Sequence, residues 1–209
     1  PITTPWNITI APSHPDATLL SILQTLSSSV GLVLSQAEIN QLITAATLFF
    51  GSSDLRTNIV IGDGSNIAIR FSDPTTVVRG DTITVRSPIL AFNFIIRGDG
   101  STTYLDADIS TNGVLEISDS VIVKDTRTLT STSNVIVGST SGHSVNGSAG
   151  GEADNLIINA GGDVYFGGDI GDLLEGGPLN SITIQNAQNI TFAGAVTITG
   201  DLVIKAVAE

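Results

Sequence analysis

Asp106 and Asp108 stand two residues apart in Leu105-Asp106-Ala107-Asp108-Ile109, a spacing that turns both carboxylates to one face of a strand. Paired carboxylates are the machinery of glycoside hydrolysis, so this pair carries the case for a polysaccharide-cleaving enzyme. No cluster of basic and aromatic residues surrounds the pair to hold a sugar, and the expectation is a protein without a catalytic site. Asp106 to Gly113 also has the Asp-x-Asp start of a calcium loop. It lacks the glycine at the sixth position and the glutamate at the twelfth, where Ile117 stands. Gly167-Gly168-Asp169-Ile170-Gly171-Asp172 is a broken form of the calcium-binding nonapeptide. Asp106, Asp108, Asp169 and Asp172 are therefore the calcium candidates, each set incomplete, beside the plain reading as acidic turns. No other cofactor is implied.

The two histidines, His14 beside prolines and His143 among glycines and serines, are not framed for general-base work. Arg79-Gly80-Asp81 and Arg97-Gly98-Asp99 are RGD tripeptides, the sequence that integrins read. They belong to a ladder of Gly-Asp pairs at Gly62, Gly80 and Gly98, spaced by 18 residues, each after a β-branched pair. A fixed period argues for turns of stacked coils, with Asp63, Asp81 and Asp99 in a column and Arg79 and Arg97 offsetting their charge. Asn7-Ile8-Thr9, Asn146-Gly147-Ser148 and Asn189-Ile190-Thr191 are glycosylation sequons of the kind that a chain rich in Asn, Ser and Thr contains by chance.

The elements that must position these residues follow from composition. The chain has 209 residues, a net charge of −12 and only 8 Lys+Arg, which excludes nucleic acid as a partner and disfavours an anionic membrane surface. It has no cysteine, so no disulfide, thiolate metal site or thiol nucleophile. Abundant Gly, Ser, Thr, Asn and Asp indicate short strands joined by tight turns. The chain starts at Pro1 without a methionine, and a processed product or a piece of something longer is expected.

Trp6, Ile8 and Ile10 alternate with polar residues between prolines as a short half-buried strand. A helical hairpin is expected next. Pro15 and Asp16 open its first arm, with Leu19, Leu20, Ile22, Leu23 and Leu26 at helical spacing and Gly31 as the stop. A capping box, Ser35-Gln36-Ala37-Glu38, starts the second, with Ile39, Leu42, Ile43 and Ala46 on one face, ending near Phe49-Phe50-Gly51. Residues 17–53 carry one charge, Glu38, yet each arm is too short and too polar for a membrane span.

From about Arg56 the chain reads as strands at Asn58–Ile61, Ile67–Phe71, Thr82–Arg86, Leu90–Ile96, Val114–Ile117, Val121–Lys124 and Asn134–Val137. Residues 138–152 read as a Gly/Ser excursion. Leu156–Phe166 then aligns with Ile182–Phe192, 26 residues on, and Gly167–Gly171 with Ala193–Thr197, with an insertion at Leu173–Asn180. Repeats of this length without helices predict a parallel β-solenoid over 55–209, with 1–54 as strand plus helical hairpin cap. A β-sandwich of hairpins, with Gly62-Asp63-Gly64-Ser65 as one turn, is the alternative.

Asn180-Ser181-Ile182-Thr183-Ile184, Asn189 to Ile198 and Gly200-Asp201-Leu202-Val203-Ile204 resemble the repeats of very large secreted bacterial surface proteins, the filamentous-haemagglutinin-like and giant type I-secreted adhesins. The resemblance covers the last quarter of the chain, and residues 58–140 in style. It implies a right-handed parallel β-helix, a cell-surface or matrix location, and an adhesive or scaffolding role. Gly200–Ala208 reads as strand with nothing to close it. The expectation is therefore an extracellular structural protein, a subunit or segment of a fibre that self-associates end to end by strand pairing. Its contact residues are expected at Trp6, Ile8, Ile10, Leu19, Leu23, Leu42, Phe49, Phe50, Leu202 and Ile204. A monomeric adhesin module for a surface glycan or protein is the alternative.

Overall fold

The computed structural model describes residues 1–12, 19–23, 31–52, 57–98, 102–139, 142–149, 153–172 and 176–205. Three sheets account for nearly all the strands, and among the described residues every strand ladder is parallel. Sheet I runs Leu32–Ser35, Leu19–Leu23, Asn58–Ile61, Thr82–Val85, Thr102–Leu105, Ser120–Val123, Ser144–Gly147, Asp169–Ile170. Sheet II runs Ile69–Arg70, Ile89–Ala91, Ile109–Thr111, Thr126–Ser131, Asn155–Ala160, Ser181–Asn186, Leu202–Ile204. Sheet III runs Ile8–Ile10, Thr47–Gly51, Thr75–Arg79, Asn93–Ile96, Leu115–Ile117, Val135–Val137, Val164–Phe166, Ile190–Phe192. From Asn58 onward the chain visits sheets I, II and III in turn, and apart from Ile69–Arg70, which begins sheet II, each visit pairs with the one before. The parallel ladders rule out the hairpin sandwich, because Asn58–Ile61 does not pair with the strand that follows Gly62–Ser65. It pairs with Leu19–Leu23 and Thr82–Val85.

The inward positions of all three sheets share one apolar core. In sheet III one inward column reads Leu48, Thr76, Phe94, Leu115, Val135 and Val164. A second reads Phe50, Val78, Ile96, Ile117, Val137 and Phe166. Apolar side chains stacked rung on rung fill these columns, with buried Thr76 their one polar member, and the phenyl rings of Phe50, Phe71 and Phe94 pack at 5.6 Å in succession.

Among the described residues no helical hairpin is seen. Leu19–Leu23 is a strand of sheet I, with Leu20 and Ile22 wholly buried, and Leu32–Ser35 pairs with it in parallel. The capping box is real: Ser35 accepts from Glu38 N and Glu38 reaches back to Ser35 N. It starts only one turn, Gln36–Ile39. Leu42–Thr44 and Thr47–Gly51 are strands. Leucine spacing alone suits either period, and here the open edges of sheets I and III complete their ladders with these segments, which outweighs a weak helical preference. Pro15, Asp16 and Leu26 lie outside the described residues. The strands of 19–51 extend the same sheets that residues 57 onward build.

Ile2–Thr4 pairs with Leu42–Thr44 as a separate two-stranded ladder. Its place along the chain is that of a sheet II strand. Ile2 precedes Ile8 by the interval that separates Leu42 from Leu48, Ile158 from Val164 and Ile184 from Ile190. The same corner chemistry recurs: Thr4, Thr44 and Ser131 each accept through the hydroxyl from the backbone N–H two residues on, at 3.1, 3.0 and 3.0 Å. At the gap between this pair and Ile69–Arg70, the Gln36 side-chain amide stands in for a strand. It accepts from Arg70 N and donates to Arg70 O, both at 2.8 Å. Asp73 also joins the two parts by accepting from Thr44 N at 2.7 Å.

The 26-residue repeat is a register: Leu156 opposes Ile182, Val164 opposes Ile190, and Ile170 bridges Val196. The 18-residue ladder is a register only in part. Val78 opposes Ile96, so Gly80 and Gly98 share one corner, but Ile61 opposes Val85, which puts Gly62 at another. Gly62 also takes φ +95, a conformation that Gly80 does not share. Residues 138–152, read as an excursion, contain the sheet I strand Ser144–Gly147, whose only large apolar residue, Val145, is wholly buried.

Candidate functional site: the two ends of the sheet stack

At several rungs the corner at the start of a sheet III strand is held by an asparagine. Asn7 Oδ1 accepts from Thr47 N at 3.1 Å, Asn93 Oδ1 from Val114 N at 2.8 Å, and Asn134 Oδ1 from Asp163 N at 2.9 Å. In each case the donor lies one rung further along the stack, in the same register column. Asn189 takes the next place and donates its Nδ2 to Asp163 Oδ1 at 2.8 Å. Among the described residues no rung follows to give its Oδ1 a backbone donor.

Two of the calcium candidates serve the same purpose in the other sheets. Asp108 Oδ1 accepts from Thr128 N at 2.8 Å, and Asp169 Oδ1 from Ala195 N at 2.7 Å. Asp106 sits half-exposed across buried Ala107 from Asp108, at the corner between Thr102–Leu105 and Ile109–Thr111 rather than on a strand. Asp169 and Asp172 line a shallow groove with Ala195 and Thr197. Among the described residues no three His, Asp or Glu side chains gather as a metal site. His143 follows the corner after Val135–Val137, and His14 lies outside the described residues.

Arg79-Gly80-Asp81 is a corner, and Arg97-Gly98 opens the corresponding one. Asp81 N donates to Thr57 O at 2.9 Å, and a Cβ on Gly80 would lie 2.6 Å from that same oxygen. Arg79 lies over the Phe49 ring, 5.0 Å from its centre, and Arg97 reaches Glu116 at 3.8 Å. Neither arginine offsets a column of aspartates, because Asp63 is at a different corner and Asp99 lies outside the described residues. Asp63 is held below the usual carboxylate range by the Ser65 hydroxyl and backbone N–H. Three carboxylates are buried at corners: Asp73, Asp119 and Asp154. Asp119 accepts from Gly98 N and from Thr103 Oγ1, and Asp154 from Asp125 N, Ser148 N and Ser148 Oγ. Burial raises the Asp73 pKa.

The residues expected at contacts divide between the ends and the core. Phe50 is wholly buried, Leu23 and Leu42 nearly so, and Phe49 lies under Arg79 on the outer face of sheet III. Leu19 pairs with Asn58 on sheet I. Trp6 is exposed at 77% on the corner between Ile2–Thr4 and Ile8–Ile10. Leu202 and Ile204 oppose Ile182 and Ile184, which are wholly buried, yet are themselves 42% and 48% exposed. Their side chains take the core phase, and among the described residues no rung lies above them. Val196, opposite buried Ile170, is likewise open, and Ile190 and Phe192 are half-covered.

The opposite end matches. Ile8, Ile10, Leu32 and Leu34 are core-phase residues of the first rung that are only partly buried, and Ile2 is 60% exposed. Each end thus presents strand edges from all three sides of the stack, around an apolar centre. Of the residues expected at contacts, Ile8, Ile10, Leu202 and Ile204 lie at these ends. Ile2, Ile190, Phe192 and Val196 lie there too and are marked by the six-residue intervals and the 26-residue register, whereas no spacing in the sequence marks Leu32 and Leu34.

No family model, curated protein or solved structure matches the chain.

Proposed function

We propose that the chain is a parallel β-solenoid that serves as a structural scaffold, a subunit or segment of an extracellular fibre that extends end to end through strand pairing. The supporting observation is the matching pair of open rungs. Unpaired parallel strand edges surround core-phase apolar side chains at both ends, and such edges are templates for another chain. Joining unlike ends by one repeated operation does not close into a ring unless the rotation allows it, so filaments are the natural product. In this reading the acidic corners are backbone supports, and the protein needs no catalytic residue. Among the described residues no helix is long and apolar enough to cross a membrane. Concentration-dependent sedimentation with electron microscopy tests the reading: it requires growth of filaments, and a monomer at every concentration overturns it.

One observation favours the second reading, a monomeric adhesin module. The outer column of sheet III runs Phe49, Val77, Ile95, Glu116, Ile136, Tyr165, an apolar stripe on a face that water would otherwise select as polar. A glycan or protein ligand bound there would be lost on Tyr165→Ala or Ile136→Ser with no change in particle size.

A further inference from the structure

The three sides of the stack do not hold the same number of levels. Sheet I has 8 strands, and the Val196 bridge to Ile170 adds a ninth level. On the side of sheet II, the pair Ile2–Thr4 and Leu42–Thr44 precedes the 7 strands that begin with Ile69–Arg70, which makes nine. Sheet III has 8. A second copy set nine levels along therefore continues sheets I and II with neither break nor overlap. We propose that these two sides alone make the joint between copies, and that sheet III stays one strand short there. Leu32–Ser35 of the second copy pairs with residues 196–198 of the first, and Ile2–Thr4 with the strand that ends at Ile204. The proposal rests on the end-to-end scaffold reading and specifies its contact.

Register points to a second copy of this chain as the occupant. In sheet I, Leu32 begins the inward column that Leu20, Ile59 and Ile83 continue and that Ile170 and Val196 end. Leu32 therefore meets Val196, and Leu34 meets Ile198, each half-buried at its own open edge. On the sheet II side, Ile2 opposes Leu42, and Thr4, Thr44 and Ser131 make the same hydroxyl bond at the corner. That places Ile2 in the column of Leu129, Ile158, Ile184 and Ile204, so Ile2 meets Ile204. One translation thus covers Ile2, Val196 and Ile204, all exposed in the single copy. It also accounts for a strand that breaks the order of the coils. Leu32–Ser35 follows Leu19–Leu23 in the chain, yet folds back to the side away from Asn58–Ile61. That fold-back supplies the level at which sheet I reaches the next copy. In sheet III the placement leaves Ile190–Phe192 and Ile8–Ile10 two rung spacings apart, about 10 Å, with a slot one strand wide between them.

Cysteine cross-linking tests the placement, and the chain has no cysteine of its own. Thr3 and Lys205, exposed and next to Ile2 and Ile204, become ladder partners across the joint. Such partners lie about 4.8 Å apart, which a disulfide spans, whereas it does not span two rungs. Within one copy the two residues stand eight rung spacings apart, about 38 Å, and cannot be bridged. The double variant Thr3→Cys/Lys205→Cys is oxidised under conditions in which the parent chain forms filaments. A ladder of disulfide-linked multimers is expected on a non-reducing gel, and an equimolar mixture of the two single variants is expected to give dimers and nothing larger. Val33→Cys/Thr197→Cys repeats the test on sheet I with the same expected ladder. Thr9→Cys/Thr191→Cys, on either side of the sheet III slot, is expected to stay uncross-linked. Disulfides between positions 9 and 191, or filaments that link at neither of the first two pairs, would overturn this joint and leave the scaffold reading standing. Absence of both filaments and cross-links would overturn the two together.

Discussion

Buried carboxylates at the corners show what single residues contribute. Asp119 satisfies Gly98 N and Thr103 Oγ1 in a wholly buried position. Removing its acceptors strands both donors, so Asp119→Ala is expected to cost about 1–3 kcal/mol, read as a lower urea midpoint. Asp73 behaves differently, because burial raises its pKa while Thr44 N supplies its bond. The folded chain therefore binds a proton more readily than the unfolded one. Ionisation of Asp73 opposes folding, and that cost sets in as the pH rises from the ordinary aspartate range through the raised value. Asp73→Asn keeps an acceptor for Thr44 N without the charge. It is expected to be more stable than the parent at pH 7, with the difference narrowing as the pH falls toward 4. Denaturation midpoints across that range measure this, and a difference independent of pH would contradict it.

At the scale of elements, the asparagines of the sheet III corner differ in what they hold. Asn134→Ala removes the acceptor of Asp163 N inside the stack and is expected to destabilise the folded chain by about 1 kcal/mol. Asn189→Ala removes an exposed bond to the Asp163 side chain and leaves no backbone donor stranded. It is expected to lower the unfolding midpoint less than Asn134→Ala does. Gly51 ends the strand Thr47–Gly51 at φ +80, where a Cβ would stand 1.8 Å from Arg79 O. Gly51→Ala is expected to cost at least about 1–3 kcal/mol in backbone strain alone, seen as a fall in melting temperature.

Element by element, legibility followed chemistry. Strands rich in Ile and Val, such as Asn58–Ile61 and Val135–Val137, were plain from composition, and the 26-residue repeat was a true register. Thr75–Arg79, Thr102–Leu105, Ile109–Thr111 and Thr126–Ser131 were missed, because threonine- and serine-rich runs read as turns until a core column gives each its one or two inward residues. Leu19, Leu20, Ile22, Leu23 and Leu26 read as one arm of a helical hairpin because leucine spacing suits two periods, and only the pairing of Leu19–Leu23 with Asn58–Ile61 decides between them. The acidic pairs drew attention as ligands, whereas the structure uses Asp108 and Asp169 to hold backbone N–H groups. Nothing in a single sequence distinguishes those roles, because both need an outward carboxylate at a turn.

For the whole molecule, charge and ends act against each other. Each copy carries a net charge of −12, so two copies repel before their apolar ends meet. Raising the salt from 20 to about 200 mM shortens the screening length and is expected to speed filament growth several-fold. Growth that slowed with salt would mean that ion pairs rather than apolar rungs make the joint. The most direct test of the scaffold account is the axial repeat of the filament by electron microscopy. Sheet I holds 8 strands and the Val196 bridge adds one more level beyond Ile170, so copies that stack without overlap predict a repeat of about 43 Å per copy at about 4.8 Å per level. A concentration-independent monomer, or filaments whose repeat departs from that value, would contradict it.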